Sequence, residues 1–184
     1  MKRISILTFV LMLLFSCTAF AADSEASDSD TFKEYLISKA LNSTYYFGPY
    51  PEENHIVQLT DGKFYWQHFG SNCSLKKIDY INPIVEVITL NGVKRNVVVW
   101  GAIYWGGGTG RFTEVMLAIE QPDGTMEGRS TVTIGDRIKC QNISIAKNKV
   151  IVDYLDRMPN QAMATRPTFP KKTIITLSDY INWN

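Results

Sequence analysis

Residues 84–105 read IVEVITL, NG and VKRNVVVWGAIYW, and this stretch decides the predicted fold. Apolar residues recur on both sides of Asn91-Gly92, a dipeptide that favours the two-residue type I′ turn of a β-hairpin. In the second strand, residues 97–99 are all valine, so both faces of that strand are apolar. We therefore expect this strand to lie centrally in a sheet, with cover on each face.

The same period-two pattern extends outward from this hairpin, from Tyr45 almost to the C-terminus. Turn residues interrupt the pattern at three further places, which predicts a series of antiparallel hairpins. These turns are Asp61-Gly62, Gln121-Pro122-Asp123-Gly124 and Lys147-Asn148-Lys149. The strands predicted around the turns are Ile56 to Leu59, Phe64 to His68, Phe112 to Glu120, Ile143 to Ile145, Val150 to Tyr154 and Thr173 to Leu177. Three prolines between Asp156 and Lys172 indicate a loop.

A short helix is predicted before the strands. Thr31 and Glu34 have the spacing of a capping box, and Phe32, Leu36 and Ala40 form an apolar stripe that can cover one face of the sheet. The predicted fold class is mainly β (α+β). We expect an N-terminal helix packed on a mostly antiparallel, meandering sheet of about seven to nine strands, which can curl into a barrel or a sandwich.

The first 21 residues predict export. A cationic start is followed by an apolar run from Ile4 to Phe15, and Ala19-Phe20-Ala21 fits a signal peptidase site, so we expect a signal peptide over residues 1–21. A flexible linker, 22–30, and one globular domain, 31–184, would follow. A second interpretation treats residues 14–17 as a lipoprotein box, in which Cys17 becomes a lipid anchor. No later run reaches the about 20 apolar residues of a membrane-spanning helix.

The charge balance limits the classes of partner that we expect, and the cysteine content raises the question of a disulfide. Removing residues 1–21 takes away Lys2 and Arg3 and no acidic residue, which leaves 17 basic against 18 acidic side chains, so nucleic acid is not expected as a partner. Cys73 and Cys140 remain as a pair, and a disulfide between them would stabilise the fold by about 4 kcal/mol. Two buried thiols are the alternative. A metal site is disfavoured because no CxxC or HxxxH spacing exists.

The glycine run Gly106 to Gly110 is one candidate binding element. A phosphate-binding P-loop would need Lys-Ser/Thr and a helix after the glycines, whereas here Arg111 and a strand follow. The run is therefore a hairpin loop, or an anion or ligand loop that uses backbone amides, Gly107 and Gly108 among them, together with Arg111.

Aromatic residues near this loop are the second candidate. They are Trp66, Trp100, Tyr104, Trp105 and Phe112. Alternation along the strand places Trp100 and Tyr104 on one face and Trp105 on the other, unless a bulge near Gly101 shifts the register. Core packing explains most of these rings, and Trp105 is the one expected to be exposed. Exposed aromatic rings can stack on sugars or hold apolar peptides.

No catalytic residue is assigned from the sequence. His55 and His68 flank the Asp61-Gly62 turn without a nucleophile motif beside them. Three acids are each next to a cation or a turn: Asp136, Asp153 and Asp156. Ordinary ion pairing explains them without a catalytic role. No cofactor and no metal are expected.

Three sequence blocks resemble a group of bacterial exported proteins to which no activity is assigned. The blocks are Gly106 to Phe112, Ile134-Gly135-Asp136-Arg137-Ile138, and Val150 to Thr168. Members of that group are similar in carrying GGGSGxF, LGDRI and VxYxDRxPxxPM in this order. The leader and the resemblance together imply the periplasm of a Gram-negative bacterium, or secretion. Members often carry an Asp-rich loop like a calcium site, but residues 91–96 here contain no carboxylate, so calcium is not carried over.

The Asp-Arg pairs in two of these blocks suggest a bracing device. If Asp136-Arg137 and Asp156-Arg157 meet in space, their charge-assisted hydrogen bonds would brace the proline-rich loop. Binding of a ligand by Arg137 and Arg157 is the alternative. The function expected is a non-catalytic binding or interaction module for a peptide, a protein or a glycan. A hydrolase acting on cell-envelope polymers is the alternative, and the oligomeric state is left open.

Overall fold

A computed structural model describes residues 28–47, 55–68, 71–90 and 92–177 of the chain. The predicted signal peptide 1–21, with Cys17, lies outside the described residues. Most of the predicted linker and Asn91 do so as well.

Residues 28–41 form helix α1 in the described part of the chain. The predicted start at Thr31 is wrong, because residues 28–30 are already helical. Acidic side chains in a first turn interact favourably with the helix dipole, which favours this earlier start. The chain divides into two compact units inside this helix, between Tyr35 and Leu36. In the first unit, Asp30 and Lys33 form an exposed ion pair at 3.6 Å. The sheets belong to the second unit.

Eleven strands follow the helix within the described residues. They are β1 (Thr44–Phe47), β2 (His55–Gln58), β3 (Lys63–His68), β4 (Ser71–Lys77), β5 (Ile84–Leu90), β6 (Val93–Trp105), β7 (Phe112–Glu120), β8 (Met126–Asp136), β9 (Lys139–Ala146), β10 (Lys149–Asp156) and β11 (Phe169–Thr176). The strand pattern does not predict β1, β4 and β8 as separate elements.

These strands form two sheets, so the mainly β fold class is confirmed. The larger sheet has eight strands in the order β2-β1-β8-β7-β6-β4-β3, and β5 pairs with β6 beyond the end of β4. Its pairings are antiparallel except for β1 with β8, which is parallel. The smaller sheet has the order β11-β10-β9. Strand β6 is long enough to pair with β5 through its first half and with β4 through residues 102–105.

Strand β6 is covered on both faces, as its three valines predicted. Every residue from Val97 to Ala102 is buried. One face contributes to a core between the two sheets, called here the sheet-side core. Its members are Ile78, Ile81, Ile88, Val97, Val99, Val115, Leu117, Ile119, Cys140, Ile143, Val150, Val152, Tyr154, Ile175 and Leu177. The other contributes to a helix-side core made of Leu36, Ala40, Tyr45, Val57, Leu59, Leu75, Val98, Trp100, Ala102, Met116, Ala118 and Met126. The stripe of α1 is therefore confirmed at Leu36 and Ala40, whereas Phe32 is half-exposed.

Tyr45 and Trp100 organise the helix-side core. Their rings meet edge to face at a centroid distance of 5.8 Å, and the Trp100 indole N–H donates to the Tyr45 hydroxyl at 3.0 Å. That hydroxyl in turn donates to the carbonyl of Ala40 at 3.0 Å. Burial raises the pKa of Tyr45, so the group stays protonated and keeps this donor role. Gly128 on β8 leaves the room that the Tyr45 ring needs, since a Cβ there would lie 2.6 Å from ring carbons.

Three of the predicted hairpins are confirmed. Strands β5 and β6 pair with Leu90 opposite Val93, and Gly92 between them has a φ of +79°, while Asn91 lies outside the described residues. The predicted turn at residues 121–124 lies in the loop 121–125, which joins β7 to β8. Lys147 and Asn148 join β9 to β10 with the positive φ values of 50° and 58° that a type I′ turn needs.

The hairpin predicted at Asp61-Gly62 is wrong, although the turn itself forms. Thr60 and Lys63 exchange backbone hydrogen bonds of 3.0 Å across it. The flanking strands then separate, because β2 pairs with β1 and β3 pairs with β4. His55 and His68 consequently lie on strands at opposite edges of the eight-stranded sheet, and not on neighbouring strands.

The predicted Cys73–Cys140 disulfide is also wrong: both residues are buried thiols. Cys73 is two residues before Leu75 on β4, so the two side chains share the face toward the helix-side core, while Cys140 belongs to the sheet-side core. The eight-stranded sheet therefore separates the two sulfur atoms.

The proline-rich loop is shorter than predicted. It covers residues 157–168, and β11 begins at Phe169. Pro170 lacks a backbone N–H donor. The strand tolerates it because β11 lies at the edge of the smaller sheet and pairs with one neighbouring strand only, β10, among the described residues.

Gly128→Ala tests the packing of Tyr45. Its Cβ would overlap the ring, so we expect the free energy of unfolding to fall by about 2 kcal/mol in urea denaturation. Gly108→Ala is the matched control, because nothing lies within 4 Å of its Cβ position and its φ is not positive. Equal stabilities of the two variants would show that Tyr45 is not packed as described.

Candidate ligand-binding groove

A surface groove of about 540 Å³ lies beside the loop that joins β6 to β7. The volume is in the range of small-molecule and short-oligomer sites. Its lining combines aromatic, charged and hydroxyl side chains with two isoleucines. The lining residues are Tyr65, Ser74, Lys76, Lys77, Ile78, Asp79, Tyr80, Ile103, Trp105, Thr109 and Arg111. Two of them, Trp105 and Arg111, are candidate residues of the sequence analysis.

Strand register places an aromatic row across the floor of the groove. Tyr65 on β3 pairs with Ser74 on β4, and Ser74 pairs with Trp105 on β6. Paired residues point to the same face of a sheet, so the two rings flank the small Ser74. Tyr65 is 70% exposed and Trp105 is 37% exposed, and Tyr80 adds a third ring that is 66% exposed.

The predicted division of the aromatic residues between the two faces is confirmed. Trp100 is fully buried in the helix-side core and Tyr104 packs against that core, whereas Trp105 points to the other face. The register between β6 and β7 is continuous at Gly101, so no bulge changes this division. Trp66 and Phe112 stack on either side of Tyr104, at centroid distances of 5.6 and 6.1 Å, and are not part of the groove.

Charged groups lie beside the aromatic row. The Lys76 ammonium is 2.7 Å from the Asp79 carboxylate, which lowers the pKa of Asp79 through the hydrogen bond and the charge of Lys76. Lys63 lies opposite Lys76 on β3, and Arg111 lines the groove near Trp105. No described residue accepts a hydrogen bond from the Arg111 guanidinium.

The glycine loop forms the rim of the groove and is held by its own hydrogen bonds. The indole N–H of Trp105 donates to the carbonyl of Gly108, which fixes the orientation of the ring. Gly107 has a φ of +82°, a value that residues with a side chain rarely adopt. The loop is therefore held in one shape at the rim of the groove, and Gly107 and Gly108 are not among the lining residues.

Asp136 and Arg137 hold this rim from the side. An Asp136 carboxylate oxygen accepts the backbone N–H of Arg111 at 2.7 Å. The Arg137 guanidinium donates twice to the carbonyl of Thr109, at 2.6 and 3.0 Å. Arg137 itself adopts a φ of 51°, which turns the backbone so that its N–H reaches the carbonyl of Arg111 at 2.8 Å.

Arg157 links this bracing to the proline-rich loop. The side chain is only 6% exposed, and its guanidinium donates to the carbonyls of Asp136 at 2.6 Å, Arg137 at 3.0 Å and Thr165 at 3.4 Å. The predicted meeting of the two Asp-Arg blocks is thus confirmed. The expected bidentate pairs do not form: Arg137 Nε lies 3.7 Å from the Asp136 carboxylate, and the hydrogen bonds of both guanidinium groups go to backbone carbonyls. Arg137 and Arg157 do not line the groove, and their guanidinium groups are engaged by the backbone.

The acidic groups do not form a convergent pair in the groove. Asp79 is the one carboxylate among its lining residues, and it is paired with Lys76. Asp153 lies 3.3 Å from Lys172 and Asp156 lies 2.8 Å from Lys171, so the ion pairing expected for these acids occurs, with partners on β11 that the sequence did not identify. No cluster of metal-ligating side chains exists among the described residues.

Glu114 is a buried acid that the sequence analysis did not single out. It is 4% exposed on β7 and accepts a hydrogen bond of 2.6 Å from the Thr133 hydroxyl. Burial raises the pKa of Glu114 to about 7. One signal in the sequence could have found it, because Glu114 is the single charge between Thr113 and Ile119 in a strand that is apolar on both faces.

No family model, no curated protein and no solved structure matches this chain. The resemblance of its three blocks to exported bacterial proteins therefore stays a prediction. Among the described helical residues, none forms a segment with the length and apolar character needed to cross a membrane.

The pKa of Glu114 predicts a pH dependence of stability. The folded state holds this proton up to about pH 7, whereas the unfolded carboxyl releases it near its ordinary value of 4.5, so the folded state binds more protons between these values. The free energy of unfolding should therefore fall by about 2 kcal/mol as the pH rises from 5 to 8.

Glu114→Gln is the matched variant for this measurement. Its amide oxygen can still accept the Thr133 hydrogen bond, and it carries no charge at any pH. Urea denaturation of both proteins at pH 5 and pH 8 should show the difference only in the wild type. If the free energy of unfolding falls equally in both proteins, titratable groups other than Glu114 cause the pH dependence.

Proposed function

We propose that the protein is an exported, non-catalytic binding module whose ligand, a peptide, a protein or a glycan, lies in the groove beside the glycine loop. The exposed row of Tyr65 and Trp105 across three strands carries this proposal. Large aromatic rings that stay in water on a sheet face are typical of interaction sites. They supply contact area with little loss of side-chain entropy on binding.

The bracing of the rim supports binding by a preformed site. Trp105, Thr109 and Arg111 are each held by hydrogen bonds from or to the loop and the Asp136-Arg137 turn. A ligand that docks there meets groups that are already ordered, so less of its binding free energy is lost in ordering them. This is the arrangement expected when a loop carries function on a rigid scaffold.

Export is proposed from the leader sequence. Residues 1–21 fit a signal peptide, which would deliver the mature chain to the periplasm or the exterior, and a lipid anchor on Cys17 is the alternative. A hydrolase is not proposed. Asp79, the carboxylate in the groove, is ion-paired with Lys76, and its lowered pKa makes it a poor general acid.

The proposal is tested by retention of ligand from envelope extract. The mature wild-type protein should retain a bound species that mass spectrometry identifies, whereas Trp105→Ala and Arg111→Ala should lose most of it. Phe169→Ala and Arg166→Ala are matched controls, because both residues are exposed and neither lines the groove. All four variants should keep the thermal midpoint of the wild type within a few degrees. Full retention by the first two variants would refute the site.

A further inference from the structure

We propose that the ligand of this groove is an acidic sugar chain, a linear oligosaccharide whose rings carry carboxylates. This inference rests on the proposed function, and it assigns the rings of the ligand to the aromatic row and its carboxylates to the cations beside that row.

The aromatic row suits two rings of one extended chain. Tyr65 and Trp105 are separated by strand β4, so their backbones are two strand spacings apart, about 10 Å. That distance matches alternate rings of an extended oligosaccharide, with one ring between them over Ser74. Ser74 lies between the two aromatic residues, and its small side chain leaves the chain room to pass and offers a hydroxyl to sugar hydroxyls.

The charges suit anionic groups along that chain. Lys63 and Lys76 lie opposite each other, two residues along the strands from Tyr65 and Ser74 and on the same face, and Asp79 neutralises part of this pair. Like charges that face each other across strands are destabilising in the absence of an anion. At the other end of the row, Arg111 presents a guanidinium, the side chain best matched to a carboxylate.

The floor of the groove disfavours recognition of a peptide through its main chain. Such recognition adds a strand to an unpaired sheet edge. The floor between Tyr65 and Trp105 is strand β4, which pairs with β3 on one side and with β6 on the other, and residues 102–104 of β6 also pair with β7. Among the described strands the unpaired edge on this side is that of β3, at the outer side of the row and not on the floor. The groove therefore presents side chains to its ligand, and flat aromatic rings favour a ligand with ring faces.

Single-stranded nucleic acid also combines rings with negative charge, and it binds to aromatic and cationic faces. The balance of 19 basic and 18 acidic residues in the whole chain does not provide the long positive track that follows a phosphate backbone. We therefore favour the sugar, and an oligonucleotide is one arm of the test.

The test uses isothermal titration calorimetry of the mature protein with tetragalacturonate and with its fully methyl-esterified form. The two probes share their rings and differ in charge. We expect the acidic form to bind about tenfold more tightly, a ratio typical of one charge-assisted hydrogen bond. Arg111→Ala should bring its affinity down to that of the ester, and Arg166→Ala should not. The difference should narrow as salt is raised.

Three results would overturn the inference in distinguishable ways. Equal binding of acid and ester would exclude the acidic class and leave glycan binding in place. Tighter binding of oligothymidylate or of polyglutamate than of tetragalacturonate would assign the groove to another anion. No binding of any probe, combined with retention of a species from envelope extract that depends on Trp105, would overturn the sugar and keep the binding function. If no probe binds and no species is retained from envelope extract, the proposed function itself is refuted.

Discussion

Burial of one strand on both faces is the constraint on which the rest of the structure depends. Residues 97–102 of β6 are enclosed between a helix-side core and a sheet-side core, so neither face of that strand meets water. Both layers are needed for this, because an apolar face left exposed would forgo on the order of 25 cal/mol for each Å² of unburied surface. The helix from Leu36 onward and the three-stranded sheet supply the two layers that cover the three consecutive valines.

The groove lies where that enclosure ends along the same strand. Beyond Ala102, the side chains of β6 become progressively more accessible, and Trp105 is the first ring on its face to reach solvent. The loop after it is shaped by bonds that come from far along the chain, since Asp136 binds Arg111 and the guanidinium of Arg157 binds the carbonyls of Asp136 and Arg137. The candidate site is thus built at the boundary between a rigid interior and an open sheet face.

Local chemistry could be predicted from the sequence, and pairing between distant segments could not. The valines and the alternation around Trp105 correctly placed β6 and its aromatic faces, because period two is a property of each strand alone. Asp61-Gly62 predicted a turn correctly and a hairpin wrongly, because its flanking strands find partners elsewhere. The two cysteines suited a disulfide by number and compartment, but the sheet lies between them, a fact that spacing does not reveal. Tyr65 and Lys76 were missed as groove residues for the same reason, since only the pairing of β3 and β4 with β6 brings them beside Trp105.

Native-state hydrogen exchange of the β6 amides tests this account most directly. If β6 is enclosed on both faces, the amides of Val97 to Ala102 should be among the slowest in the chain, and their opening free energy should equal the global free energy of unfolding. Amides of the edge strand β3 should exchange through smaller, local openings. Exchange of the β6 amides at the rate of those in β3 would contradict the central position of the strand, and with it the origin of the groove.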